Sequence, residues 1–221
     1  MKRSDLPSWR QAGYWLAGLL LIPACAPSGS MMVEHETEDG SVRRAGHIPP
    51  RPIVDFVLTD SQNAEFNSQD LRGRVWVVSF FFTTCPGTCR QQNELLRRLW
   101  REFRSQGVHI VSITCDPVED TPERLRDYAR LYDADPEEWF FLTGDMERIS
   151  QIGEESFLLG VGHRSHSDRF VVVDKQGRVR GMYDWHSLHQ LQALKDKLEA
   201  LAREETPADT MVDLSMADDR P

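Results

Sequence analysis

Only 4 of the 221 residues are cysteine, too few for a scaffold that relies on disulfides in place of a core. Basic residues are outnumbered, 26 Lys and Arg against 35 Asp and Glu, for a net charge of -9. With no basic patch or stripe, nucleic-acid binding is excluded, because affinity for phosphate rests on Lys and Arg. A long apolar run is also missing: the stretch from Tyr14 to Ala24 falls short of the roughly 20 residues that cross a bilayer. No second close pair of cysteines is present to complete a four-ligand zinc site. What remains is a 40% hydrophobic chain, able to bury one good core and long enough for one domain plus tails.

Lys2, Arg3 and Arg10 precede the short apolar run, the layout of a signal peptide. The run ends in Leu21-Ile22-Pro23-Ala24-Cys25, which resembles a bacterial lipobox, where the cysteine becomes the lipid-modified first residue. The competing reading is cleavage after Ala24-Cys25-Ala26, an A-x-A pattern that would release a soluble protein. The expected organisation is therefore a signal peptide with lipobox over 1–25, lipidated at Cys25 and anchoring the chain to a membrane. A flexible linker follows over 26–52, then a folded domain over 53–202 and a disordered acidic tail over 203–221. Met31, Met32, His35 and His47 in the linker read as parts of a solvated tether.

Within the domain, Val54 to Thr59 predicts a strand, and the unbroken apolar run Val75 to Phe82 predicts a central strand covered on both faces. A helix is expected to about Gln106 with Leu95, Leu96, Leu99 and Phe103 on one face, then a buried strand over Val108 to Thr114. Thr121-Pro122-Glu123 marks a helix start, with Thr as N-cap and Pro at the first helical position, and that helix extends to about Tyr132. Trp139 to Thr143 reads as a strand and Met146 to Glu155 as a short helix. Arg169 to Val173 and Arg178 to Tyr183 flank Asp174-Lys175-Gln176-Gly177 and predict a hairpin. Leu188, Leu191, Leu194, Leu198 and Leu201 recur at helical spacing. This order predicts an α/β fold, a mixed central sheet with helices on both faces.

The run of Val75 to Phe82 leads into Thr83-Thr84-Cys85-Pro86-Gly87-Thr88-Cys89. One cysteine falls at the carboxyl end of the strand and the other in the first turn of the next helix, where unsatisfied N–H groups and the helix dipole favour thiolate. On a regular helix an i, i+4 pair lies about 6 Å apart, within reach of a disulfide. Cys85 and Cys89 can thus cycle between dithiol and disulfide, and when reduced they offer two soft ligands suited to Cu(I). A static disulfide or two small core residues is the bland alternative. Histidine is the usual third copper ligand, and His163 and His166 lie just before the hairpin, although either alone reads more simply as a loop residue.

These blocks together resemble the SCO/SenC family of copper chaperones. The cysteine segment resembles the family's C-P-x-x-C-P pattern. Thr114-Cys115-Asp116-Pro117-Val118-Glu119-Asp120-Thr121-Pro122-Glu123 resembles its D-P-x-x-D-T-P-E segment, and Ser165-His166-Ser167 stands where its metal-binding histidine precedes a strand. The resemblance covers roughly Pro52 to Ala202. It implies a thioredoxin-like fold and copper, Cu(I) or Cu(II), held by Cys85, Cys89 and His166. It also implies delivery of copper to, or maintenance of the thiols of, the copper centre of cytochrome c oxidase, with a thiol reductant as a further partner and the domain on the extracytoplasmic (periplasmic) side. Gly87 stands where the family commonly has Asp and Arg90 where it commonly has Pro. The added positive charge is expected to favour thiolate at the second cysteine and to tilt the chain toward redox work. A thiol–disulfide oxidoreductase without copper delivery is the alternative function. A peroxidase is weaker, since the second cysteine is not in the usual resolving arrangement. Cys115 reads as a buried thiol, and Asp116 and Asp120 as turn residues or as groups that orient a ligand.

Overall fold

The computed structural model describes residues 48–204, so the expectations for the signal segment, Cys25, most of the linker and the acidic tail beyond Glu204 lie outside the described residues. The described chain forms strands β1 (Arg51–Pro52), β2 (Val57–Asp60), β3 (Glu65–Asn67), β4 (Val75–Phe81), β5 (Val108–Thr114), β6 (Trp139–Thr143), β7 (Arg169–Val173) and β8 (Arg178–Asp184). Its α-helices are α1 (Cys89–Phe103), α2 (Pro122–Arg130), α3 (Met146–Gln151) and α4 (Leu188–Arg203). The strands build one sheet in the order β1-β8-β7-β4-β5-β6-β2-β3. β4, β5 and β6 run parallel, each pair joined by a helical crossover as parallel strands require, and the flanking pairs are antiparallel.

Every residue of β4 and β5 is buried, as expected of strands covered on both faces. Alternation along β4 shows the two covers. Phe81 stacks on Tyr128 of α2 at 5.4 Å, whereas Trp76 and Phe80 meet Phe157, just beyond α3, at 6.2 and 6.1 Å. The polar members of this core are satisfied: Ser79 and Ser112 share a hydrogen bond of 3.1 Å, and Trp139 Nε1 donates to Ser112 Oγ at 3.0 Å. β8, by contrast, alternates buried and half-buried residues.

The expected α/β architecture stands, with helical elements on both faces of a mixed sheet. Thr121 caps α2 through Arg124 N–H, with Pro122 at its first position. The hairpin closes on Gly177 at φ 70°, a conformation that glycine adopts without cost. Asp174, almost fully buried, holds the turn by accepting from Gln176 N–H, Arg178 N–H and the side chains of Arg178 and Arg180. Two expectations needed revision, and two short strands were not anticipated. The strand predicted over Val54 to Thr59 forms only from Val57, because Phe56 N–H and C=O bond to Ser68 rather than to a strand. The two- and three-residue strands β1 and β3 carry too little pattern to be read. Leu194, Leu198 and Leu201 of α4 are buried, but Leu188, expected on the same face, is 84% exposed, because the first turn of the helix lies beyond the sheet's cover.

Candidate metal and redox centre

The end of β4 opens into the cysteine loop, and a buried carboxylate fixes that opening. Asp120 accepts from Thr83 N–H at 3.0 Å, from Thr83 Oγ1, and from Thr114 Oγ1 at the end of β5 at 2.5 Å. Of the sequence readings for Asp120, a group that holds the ligand loop fits better than a simple turn residue. The signal was available: Thr83 and Thr114 both end buried strands, and a nearby acid is their natural acceptor. Cys85 N–H then donates to Phe82 C=O at 3.3 Å, closing a turn.

α1 begins at Cys89 itself, with Thr88 as its N-cap residue. The regular-helix geometry expected for the pair is therefore corrected: Cys85 stands in the turn before the helix, and the turn through Pro86 and Gly87, not helical spacing, brings the sulfurs together. Both thiols are free, and they differ. Cys85 is half-buried. Burial opposes its charge, but the N–H groups of Cys89, Gly87 and Thr88, together with the Cys89 thiol, more than offset this and hold it below the ordinary thiol range. Cys89 is 1% exposed, and burial, reinforced by the neighbouring Cys85, pushes its thiol far above that range despite a bond from the Phe82 backbone. The expectation that Arg90 would favour thiolate at Cys89 is also corrected. Arg90 points to the exposed side, and the apolar surroundings of the sulfur decide the matter.

The third group comes from far along the chain. His166 Nε2 lies 3.1 Å from Cys89 Sγ, and its Nδ1 donates to Ser167 C=O at 3.2 Å, which leaves the Nε2 lone pair facing the sulfur. The edge of its ring meets Phe82 at 5.9 Å. The two sulfurs and a ring nitrogen of His166 all lie within 4.8 Å of one another, the one such group of three or more ligating side chains among the described residues. His163 is elsewhere: its Nδ1 lies 3.7 Å from Asp116 Oδ1, and Arg164 Nε lies 3.6 Å from Asp116 Oδ2. Asp116 is 1% exposed, and neither of its oxygens has a hydrogen-bond partner, so the Arg164 guanidinium is the cation that balances its charge, with the His163 imidazole beside it. Arg164 N–H also donates to Cys115 C=O at 2.8 Å. The turn bearing His166 is thus docked on the end of β5 by Asp116 and Cys115. The Cys115 thiol donates to Phe81 C=O at 3.2 Å and is pushed up to about 12 by burial, with Asp120 and Asp116 adding to it. It stands as a buried thiol outside the group of three.

Two soft sulfurs and one imidazole suit copper. Thiolates favour Cu(I), and the nitrogen extends the site toward Cu(II). The same dithiol can also form a disulfide.

Known proteins resemble the chain over the domain that carries this group. The SCO1/SenC family profile matches residues 48–203. A Stutzerimonas stutzeri protein named for copper binding is 32% identical over 143 residues, 59% of this chain and 68% of its own length. The SCO1 protein homologue of Bacillus subtilis is 24% identical over 177 residues, 76% of this chain and 85% of its own. Among solved structures, a SCO1/SenC family lipoprotein from Bacillus anthracis superposes with a TM-score of 0.64 at 26% identity, over 70% of this chain and 98% of that one. The fold is thioredoxin-like.

Proposed function

Since the chain belongs to the SCO1/SenC family, we propose that it is a copper chaperone whose cargo is held by Cys85, Cys89 and His166. The acceptor is the copper centre of cytochrome c oxidase, to which it delivers copper or whose thiols it maintains. The observation that carries this reading is the approach of the two sulfurs and the imidazole within 4.8 Å. A structural zinc site is disfavoured by chemistry, since it takes four protein ligands and this group supplies three. When copper is bound it supplies the metal that is handed on. The chain's own residues do the rest: Asp120 fixes the cysteine loop, Ser167 C=O orients the imidazole, and the Phe82 ring packs against that imidazole. A thiol reductant keeps the pair reduced.

A second reading, thiol–disulfide exchange without copper delivery, is favoured by one observation. The two thiols are unequal, one held below and one above the ordinary range, as suits an attacking and a resolving cysteine.

Titration of reduced, full-length protein with Cu(I) and Cu(II) separates these readings. One copper per chain is expected, and Cys85→Ser or Cys89→Ser abolishes binding of both valences. His166→Ala weakens Cu(II) at least tenfold, about 1.4 kcal/mol, and Cu(I) less, because imidazole matters more to the harder ion. His163→Ala does little. Loss of the thiolate–copper absorption in His163→Ala with retention in His166→Ala would overturn the ligand assignment, and indifference to both histidines leaves the exchange reading.

The proposal includes a lipid anchor at Cys25, holding the domain on the extracytoplasmic side of a membrane. Among the described residues no helix is long and apolar enough to cross one. Cys25→Ser is expected to release the protein from membranes or to leave an unprocessed precursor; normal processing with unchanged membrane association would sink the anchor.

A further inference from the structure

Beside the thiol pair the surface opens into a groove of about 1240 Å³, larger than a small-molecule pocket. It is lined by Cys85, Arg90, Arg98, Leu131, Trp185 and Leu188, among others. Cys89 is not among its lining residues, so a molecule seated there meets the site through Cys85 alone.

Two features set this surface apart. Leu131, just past α2, is 69% exposed, and Leu188, the first residue of α4, is 84% exposed. Both belong to the few large apolar side chains left in solvent, and they share this one groove. The groove also carries Arg90, Arg97 and Arg98 against a single carboxylate, Glu94, on a chain whose net charge is -9. Glu94 is engaged by Arg97 and Arg98, and Arg97 is also paired with Asp133 outside the groove, so the positive character rests on Arg90, with which no carboxylate pairs among the described residues, and on Arg98, which shares Glu94. A locally positive, leucine-studded groove on an acidic protein complements carboxylates and aliphatic side chains, and such complementarity orients an encounter.

We propose that this groove docks an acidic, aliphatic polypeptide segment of the partner protein and presents that partner's sulfur to Cys85. The inference rests on the reading of Cys85 and Cys89 as the working thiols, and it adds what they recognise. When the partner brings a disulfide, the Cys85 thiolate attacks one of its sulfurs, the partner's S–S bond breaks, and the second sulfur leaves as thiolate. Cys89 then attacks the Cys85 sulfur and loses its proton to water. The Cys85–Cys89 bond forms, the mixed disulfide breaks, and the partner leaves with two electrons as two thiolates, which take up protons from water to become the dithiol.

The test uses reduced full-length protein and octapeptides whose single cysteine is capped by thionitrobenzoate, with release of the coloured thiol followed at low salt. One peptide is acidic and aliphatic, one acidic and serine-rich, one basic and aliphatic; capped free cysteine is the small control. The acidic aliphatic peptide is expected to react at least about tenfold faster than the other two. That advantage falls severalfold in Leu131→Ser, Leu188→Ser and Arg98→Glu, while the control reacts equally with every variant. Leu131, Leu188 and Arg98 are exposed, so their replacement spares the core. Equal rates for the three peptides, or an advantage that survives all three substitutions, overturns the groove while leaving the thiol reading intact. Failure of the control itself sinks both. A synthetic peptide of residues 205–221 serves as competitor. If it suppresses the reaction at lower concentration than an uncapped, cysteine-free version of the acidic aliphatic peptide does, the occupant is the chain's own tail and the proposal is wrong.

Discussion

Cys85 and Cys89 are the same side chain four residues apart, yet one is half-exposed among backbone N–H groups and the other is buried against His166. A thiolate reacts and a buried thiol does not, so the pair should label in order. At pH 7, iodoacetamide is expected to modify Cys85 about tenfold or more faster than Cys89, with Cys115 untouched until the protein is unfolded. Peptide mapping after short exposures reads this directly, and equal labelling of the first two would contradict the division into attacking and resolving thiols. The pair itself was legible from spacing and from the strand that leads to it. The inequality was not, because it depends on burial by segments distant in the chain, His166 lying 77 positions beyond Cys89.

Among elements, the junction that matters most joins the exits of β4 and β5. Asp120 is fully buried and ties Thr83, two residues before Cys85, to Thr114. Asp120→Ala removes a charged acceptor shared by three donors and leaves Thr83 N–H without its partner. A loss of about 3 kcal/mol in urea unfolding is expected, together with weaker copper binding by the protein that remains folded. Asp120→Asn should recover part of both, since one oxygen can still accept. Copper affinity equal to wild type in folded Asp120→Ala protein would show that the loop holds its shape without this tie. Elements with a long or repeated pattern, such as β4, β5, the capped α2 and the hairpin, were readable from sequence. β1 and β3 were not, since two or three residues carry no period, and Leu188 misled because helical spacing records a face but not how far the cover extends.

For the whole molecule, the buried thiols and phenols make alkaline pH the weak side. Burial pushes Cys115 up to about 12 from an unfolded value of 9.0, and Cys89, Tyr128 and Tyr183 shift in the same direction. A group whose folded pKa is raised stabilises the fold fully below its unfolded pKa and progressively loses that effect as pH rises toward the folded one. Stability should therefore decline from about pH 9 upward for the two thiols and from about pH 10 for the phenols, approaching about 1.4 kcal/mol per pH unit for each such group. Cys115→Ala lowers stability at neutral pH by leaving a small cavity, but it should flatten the slope between pH 9 and 10 by about one group's share, leaving that of Cys89. Denaturant midpoints measured across that range check it, and a slope identical to wild type would mean that Cys115 ionises as freely in the fold as outside it.

Pattern and motif were enough to read the α/β class, the central buried strands, the dithiol at a strand-to-helix junction and, through the three blocks that resemble the SCO/SenC family, His166 as the histidine expected beside them. These are local facts: hydrophobic period, cap chemistry and spacing act within a few residues of chain. Packing between distant segments decided that Asp116 and Asp120 hold the two loops, and that one thiol is exposed and the other sealed. It also decided that Leu131 and Leu188 open beside Cys85 rather than into the core. Each of these depends on which distant segments share a desolvated space, and charge, burial and hydrogen-bond partners are properties of that space rather than of the residue.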